Sequence, residues 1–170
     1  TGSAYVYTRD AAGSWSAGTG LTIPSGVKDF GASVALDGDT CVIGANRTNS
    51  NAGSAYVYTQ DAAGNWSTGT ALTIPSGAMN FGISVALEGD TCMIGANRTD
   101  SSTGSVYVYR QSADEDFGWE GVATLTVPSG ASSFGGSVAL DGTTCVIGAF
   151  DNKYYSVGSA YIYTQDAAGN

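Results

Sequence analysis

The sequence predicts an all-β protein, a β-propeller-like array of four-stranded antiparallel blades with about 51 residues per repeat. Three observations carry this. Residues 53–103 repeat residues 2–52, and 38 of the 51 aligned pairs are identical. A period of that length marks a stacked or radial repeat architecture. Apolar residues alternate or run in short blocks rich in Val, Ile, Tyr and Thr, separated by Gly, Ser, Asn and Asp, with little helical periodicity. Each unit holds four such blocks, the strand content of one propeller blade.

In the first complete unit, residues 31–36 read as a strand. Asp37-Gly38 follows, a two-residue hairpin signal because that turn needs positive φ. Residues 40–45 are the second strand and 46–52 a polar loop. Residues 54–59 are the third strand, with Ala55 and Val57 on one face and Tyr56 and Tyr58 on the other. A turn at 61–65 leads into an outer fourth strand, 66–74, stopped by Pro75-Ser76-Gly77. In this phase the chain is one repeat domain. It comprises a partial blade at 1–29 (third and fourth strands), blades at 30–80 and 81–133, and a partial blade at 134–170 (first three strands).

F-G-x-S-V-A-L, then [DE]-G-[DT]-T-C-[VM]-I-G-A, then G-S-[AV]-Y-[VI]-Y recur in register along the chain. The pattern resembles the FG-GAP repeat of integrin α-type propellers. Phe30-Gly31, Phe81-Gly82 and Phe134-Gly135 match the FG element, and Gly44-Ala45, Gly95-Ala96 and Gly148-Ala149 match GA. Asn46, Asn97 and Phe150 replace the proline. The resemblance implies a non-catalytic interaction platform. Many such blades carry a calcium loop between the first two strands, but only Asp37-Gly38-Asp39, Glu88-Gly89-Asp90 and Asp141-Gly142-Thr143 stand there. Calcium wants six to eight oxygens. A tight hairpin supplies too few, so a calcium-loop-lacking variant with no metal and no cofactor is expected.

Composition narrows the partners. The net charge of -9, with only six Lys and Arg, disfavours nucleic acid and anionic membrane surfaces. No apolar run suits a membrane-spanning helix, so membrane insertion is not expected. The chain opens inside a repeat, which reads as a mature or truncated product. Cys41, Cys92 and Cys145 occupy one repeat position outside any C-x-x-C pair and read as small buried hydrophobes.

No histidine is present, which removes the commonest general base. The one acidic cluster, Asp114-Glu115-Asp116, reads as a solvated loop tip. Near-identical copies argue against the single asymmetric constellation of an active site, so the chain is read as not an enzyme. Asn46-Arg47-Thr48, Asn97-Arg98-Thr99 and Asn65-Trp66-Ser67 are sequons, which makes Asn46, Asn65 and Asn97 candidates for N-glycosylation, the first and third on a loop expected to be exposed. Trp15, Trp66 and Trp119 read first as filling the gaps between blades and second as sugar-stacking residues. Phe150, Tyr154 and Tyr155, in an aromatic insertion of the third copy, read as packing or as a partner or sugar contact.

The function expected is an extracellular or cell-surface structural or adhesion protein, part of a longer array or self-assembling. The alternative is a multivalent carbohydrate-binding propeller. Expected partners are other chains or copies of this one through open blade edges, with glycans under the alternative.

Overall fold

The computed structural model describes residues 2–113, 118–127, 131–150 and 157–166. They form antiparallel sheets of two, four, four and three strands in chain order. The front sheet pairs β1 (Tyr5–Val6) with β2 (Thr19–Gly20). The next holds β3 (Ser33–Asp37), β4 (Thr40–Gly44), β5 (Ala55–Thr59) and β6 (Thr70–Ala71) as a meander. A second meander holds β7 (Ser84–Glu88), β8 (Thr91–Ala96), β9 (Ser105–Gln111) and β10 (Trp119–Thr126). The last holds β11 (Phe134–Asp141), β12 (Thr144–Ala149) and β13 (Ser159–Thr164).

The third strand shows how one sheet supplies two cores. Ala55 and Val57 join a cluster with Val85, Cys92, Ile94, Tyr107 and Tyr109 of the following blade. Tyr56 and Tyr58 point the other way, into a cluster with Ala4 and Leu21 of the front sheet. Alternation along an extended strand thus buries both faces of a blade between its neighbours. A third cluster joins Ala86, Met93 and Val106 to Phe134, Cys145 and Ile147.

The outer strand is shorter than the sequence suggests. In the 30–80 blade only Thr70–Ala71 pairs regularly, with an isolated bridge between Gln60 and Trp66. Gly69 interrupts the run at φ +84, and a Cβ there would meet the Tyr58 ring at 2.5 Å. Val122 occupies the corresponding place in the next blade, and β10 runs unbroken from Trp119 to Thr126 with one bulge.

The polar loop 46–52 is exposed at Arg47 and at residues 49–51, but two of its side chains are not displayed as the sequence suggests. Asn49, Ser50 and Asn51 turn through the left-handed region at φ 50, 55 and 71, a conformation Asn and Ser tolerate. This folds Asn46 and Thr48 inward, both buried. Thr48 Oγ1 accepts from the Lys28 amide at 3.2 Å and donates to the Lys28 carbonyl at 3.1 Å. The next repeat does the same with Asp100, Ser101 and Ser102, and Thr99 Oγ1 accepts from the Met79 amide at 3.2 Å.

Candidate functional site

A set of polar contacts recurs where blades meet. At each junction the FG glycine of one blade sits against the GA glycine of the blade before it. A Cβ on Gly44 would lie 2.1 Å from the Gly82 carbonyl oxygen, and one on Gly95 would lie 2.1 Å from that of Gly135. No residue with a Cβ fits such an approach. The same carbonyls are held by serine: Ser33 Oγ donates to Gly82 at 2.9 Å and Ser84 Oγ donates to Gly135 at 2.7 Å.

The acidic hairpin turns form a second latch. Asp37 Oδ2 accepts from the Gly89 amide at 2.7 Å, and Glu88 Oε2 accepts from the Gly142 amide at 2.6 Å. Each carboxylate therefore reaches the hairpin of the next blade. A third latch runs backwards. Tyr58 Oη donates to the Thr22 carbonyl at 2.6 Å, Tyr109 to Thr73 at 2.5 Å and Tyr163 to Thr126 at 3.1 Å. The FG phenylalanine packs edge-on against this tyrosine in every copy, with ring centroids 6.1 Å apart for Phe30–Tyr58, 6.0 Å for Phe81–Tyr109 and 6.1 Å for Phe134–Tyr163.

The three thiols are buried and free. Burial pushes Cys41 up to about 11 and Cys92 up to about 12, so both are protonated at neutral pH and poor nucleophiles. Burial likewise raises Tyr58 to about 12. Among the described residues, no group of three or more Cys, Asp or Glu is placed to hold a metal.

The sequence-derived candidates separate. Asn97 is buried, and its Oδ1 accepts from Asn80 Nδ2 at 3.1 Å. Asn46 is buried too, beside an Arg47–Asp29 ion pair of 3.4 Å. The exposure expected for these two asparagines is therefore corrected: their side chains are buried, although Arg47 and residues 49–51 of the first loop are exposed. Asn65 is exposed, with its amide on the Asp61 carboxylate at 3.1 Å. The Asn65 backbone amide first, then its side-chain amide and the Ala63 amide, hold the Asp61 carboxyl below the usual carboxylate range.

Trp66 and Trp119 are partly buried against the inter-blade clusters, whereas Trp15 is 66% exposed. Tyr5 and Tyr7 lie exposed with it at the front of the chain. Phe150 is half-exposed, and its ring stacks over Gly136, where a Cβ would clash at 2.0 Å. It thus packs on its own blade. Ile83 holds the corresponding place in the preceding copy, so the Ile-to-Gly and Asn-to-Phe changes between copies belong together. Neither is informative alone, which is why the sequence did not disclose the pair. Tyr154 and Tyr155 lie outside the described residues, as do Asp114, Glu115 and Asp116.

The FG-GAP repeat profile matches at residues 25–58, 75–109 and 119–163, well over half of the chain. The chain belongs to the FG-GAP repeat family. No match to a curated protein was found. FG-GAP repeats occur in adhesion-type and propeller proteins, are generally non-catalytic and are typically extracellular. The junction latches give the family's motif a physical content here. F supplies the ring under the tyrosine, and the two glycines permit the close backbone approach. Among the described residues, no helix is long and apolar enough to cross a membrane.

Proposed function

We propose that this FG-GAP chain is a non-enzymatic structural or adhesion scaffold of the extracellular space or cell surface. The observation that carries the reading is where its polar side chains go. Ser33 and Ser84, Thr48 and Thr99, and the turn carboxylates of Asp37 and Glu88 are engaged in bonds that repeat from one blade or loop to the next. Such groups build a rigid platform and leave recognition to loops and end faces. Antibody labelling of intact, unpermeabilised source cells should decorate their surface. Labelling only after permeabilisation would overturn the localisation. Asn65, the exposed sequon, is the glycosylation candidate the fold favours. Its glycan would appear as an intact-mass shift reversed by an amidase that removes N-glycans.

A carbohydrate-binding role is the second reading, favoured by the exposed aromatic group Tyr5, Tyr7 and Trp15. Retention on a glycan array, lost in Trp15→Ala, would support it. An array left blank by the intact chain would leave the scaffold reading alone.

A further inference from the structure

Among the described fourth strands, one keeps a long free edge. The fourth strand of a propeller blade lies at the periphery, whatever repeats precede or follow it, so one side of its backbone faces outward. In the front and 30–80 sheets that edge is broken. β2 and β6 keep two residues each, and Gly18 and Gly69 interrupt the run before them at φ +85 and +84. Short, kinked edge strands are one way in which sheets avoid adding a further strand. β10 has lost this device. Val122 stands where the other copies have Gly18 and Gly69. The strand pairs with β9 from Trp119 to Thr126 with one bulge, and it ends the strand order of its sheet. It carries no Pro, Lys or Arg, the residues that guard edges, and one charge, Glu120.

Backbone bonds say which groups of that edge are free. In the 30–80 blade the Ser67 amide donates to the Thr59 carbonyl and the Leu72 amide to the Ala55 carbonyl, each at 2.9 Å. Glu120 and Leu125 are the counterparts of Ser67 and Leu72, so their amides face β9. Alternation then turns the amide and carbonyl of Thr124 outward. Thr124 is exposed, as is its counterpart Ala71. The charges say what fits there, and in which direction. The hairpin end of the blades carries Asp37, Asp39, Glu88, Asp90 and Asp141, and Glu120 lies at that end of β10. The opposite end carries Lys28, Arg47 and Arg98 beside Asp29 and Asp100. A second copy added antiparallel sets the acidic end of one chain beside the cation-bearing end of the other. A parallel copy would set the acidic ends side by side.

From this we infer that β10 is a strand-addition site whose occupant is β10 of a second copy, antiparallel about a two-fold axis at Thr124. The regular stretch beyond the bulge is what pairs. On the axis the two Thr124 residues exchange amide-to-carbonyl bonds. Ala123 faces Leu125 of the other copy, and Val122 faces Thr126. The two four-stranded sheets of β7–β10 become one sheet of eight. The two Glu120 carboxylates fall at opposite ends of the joined strands, so no like charges stand face to face. The paired stretch is short, which places the dimer in the small, transient class of interfaces. The site goes beyond the scaffold reading and stands without it.

Sedimentation equilibrium of the purified chain over a range of concentrations should show a reversible monomer–dimer equilibrium. Thr124→Pro removes the outward amide and leaves the β9 bonds, because proline is tolerated on an edge strand where its nitrogen faces solvent. The two amide bonds lost across the axis should raise the dissociation constant at least about tenfold. Val122→Gly, which restores the residue of the other copies, should weaken the dimer in the same way. Thr124→Cys should form an intermolecular disulfide on mild oxidation. Facing residues of a bonded antiparallel pair lie about 5.5 Å apart at Cα, within disulfide reach, and the three native thiols are buried. Ala71→Cys, at the corresponding place on the broken edge of the 30–80 blade, should not cross-link. A monomer at every concentration would overturn the inference and leave the edge to a strand of another protein. A dimer indifferent to both Thr124→Pro and Val122→Gly would overturn it too, as would cross-linking as ready through Ala71→Cys as through Thr124→Cys.

Discussion

At the residue scale, the tyrosine that follows each third-strand valine carries two duties with one side chain. The Tyr109 ring is buried in the cluster between blades, and its hydroxyl donates to the Thr73 carbonyl of the previous blade. Tyr109→Phe keeps the ring and leaves that carbonyl without its donor, so a loss of about 1–2 kcal/mol is expected in urea unfolding. The same burial sets an alkaline limit. Cys41, Cys92 and Tyr58 have raised values in the folded chain, so each binds its proton more tightly when folded than when unfolded. Their contribution is whole below the unfolded values, which for the thiols is 9.0, and it is lost as pH rises through the folded values. The melting temperature should therefore fall between pH 9 and 11, and less steeply in Cys41→Ala/Cys92→Ala. An equal slope in that variant would place the alkaline loss elsewhere.

At the element scale, the loop after the second strand shows how a surface motif becomes a structural one. Three successive left-handed residues turn Asn97 and Thr99 inward, and the Asn80–Asn97 bond closes over them. Asn97→Ala removes the acceptor and strands the buried Asn80 amide, which should cost about 1–3 kcal/mol in thermal or urea unfolding. A glycan at Asn97 would require the loop to open, so intact mass should show that site bare even where Asn65 is modified. The strands and hairpins were legible from the sequence because alternation and Asp-Gly or Glu-Gly turns are local signals. The loop was not, because N-R-T reads as polar and its burial depends on Lys28, Met79 and Asn80, about 20 residues upstream. The shortness of β6 was likewise hidden. Gly69 matters there because the Tyr58 ring occupies its Cβ position, a contact between strands. The latches lay deeper still. Glu88 looks like an ordinary turn residue until the backbone of Gly142 is brought beside it.

At the scale of the whole molecule, repetition makes stability a matter of neighbours. In a linear repeat array each unit is held by its own contacts plus those with the units on either side. The blade of β7–β10 has both faces covered, with Val85 and Cys92 in one cluster and Ala86, Met93 and Val106 in another. The blade of β3–β6 has its inner front face open at Val34 and Leu36, and the last sheet is open at Val146 and Ile162. Amide exchange in the single chain should therefore be graded. It should be slowest in β7–β9, faster in β3–β5 and β11–β13, and fastest in β1–β2, which share only two residue pairs. Exchange mass spectrometry reads this order directly, and protection in β7–β9 no higher than in β1–β2 would show that the shared faces between neighbouring blades do not set it.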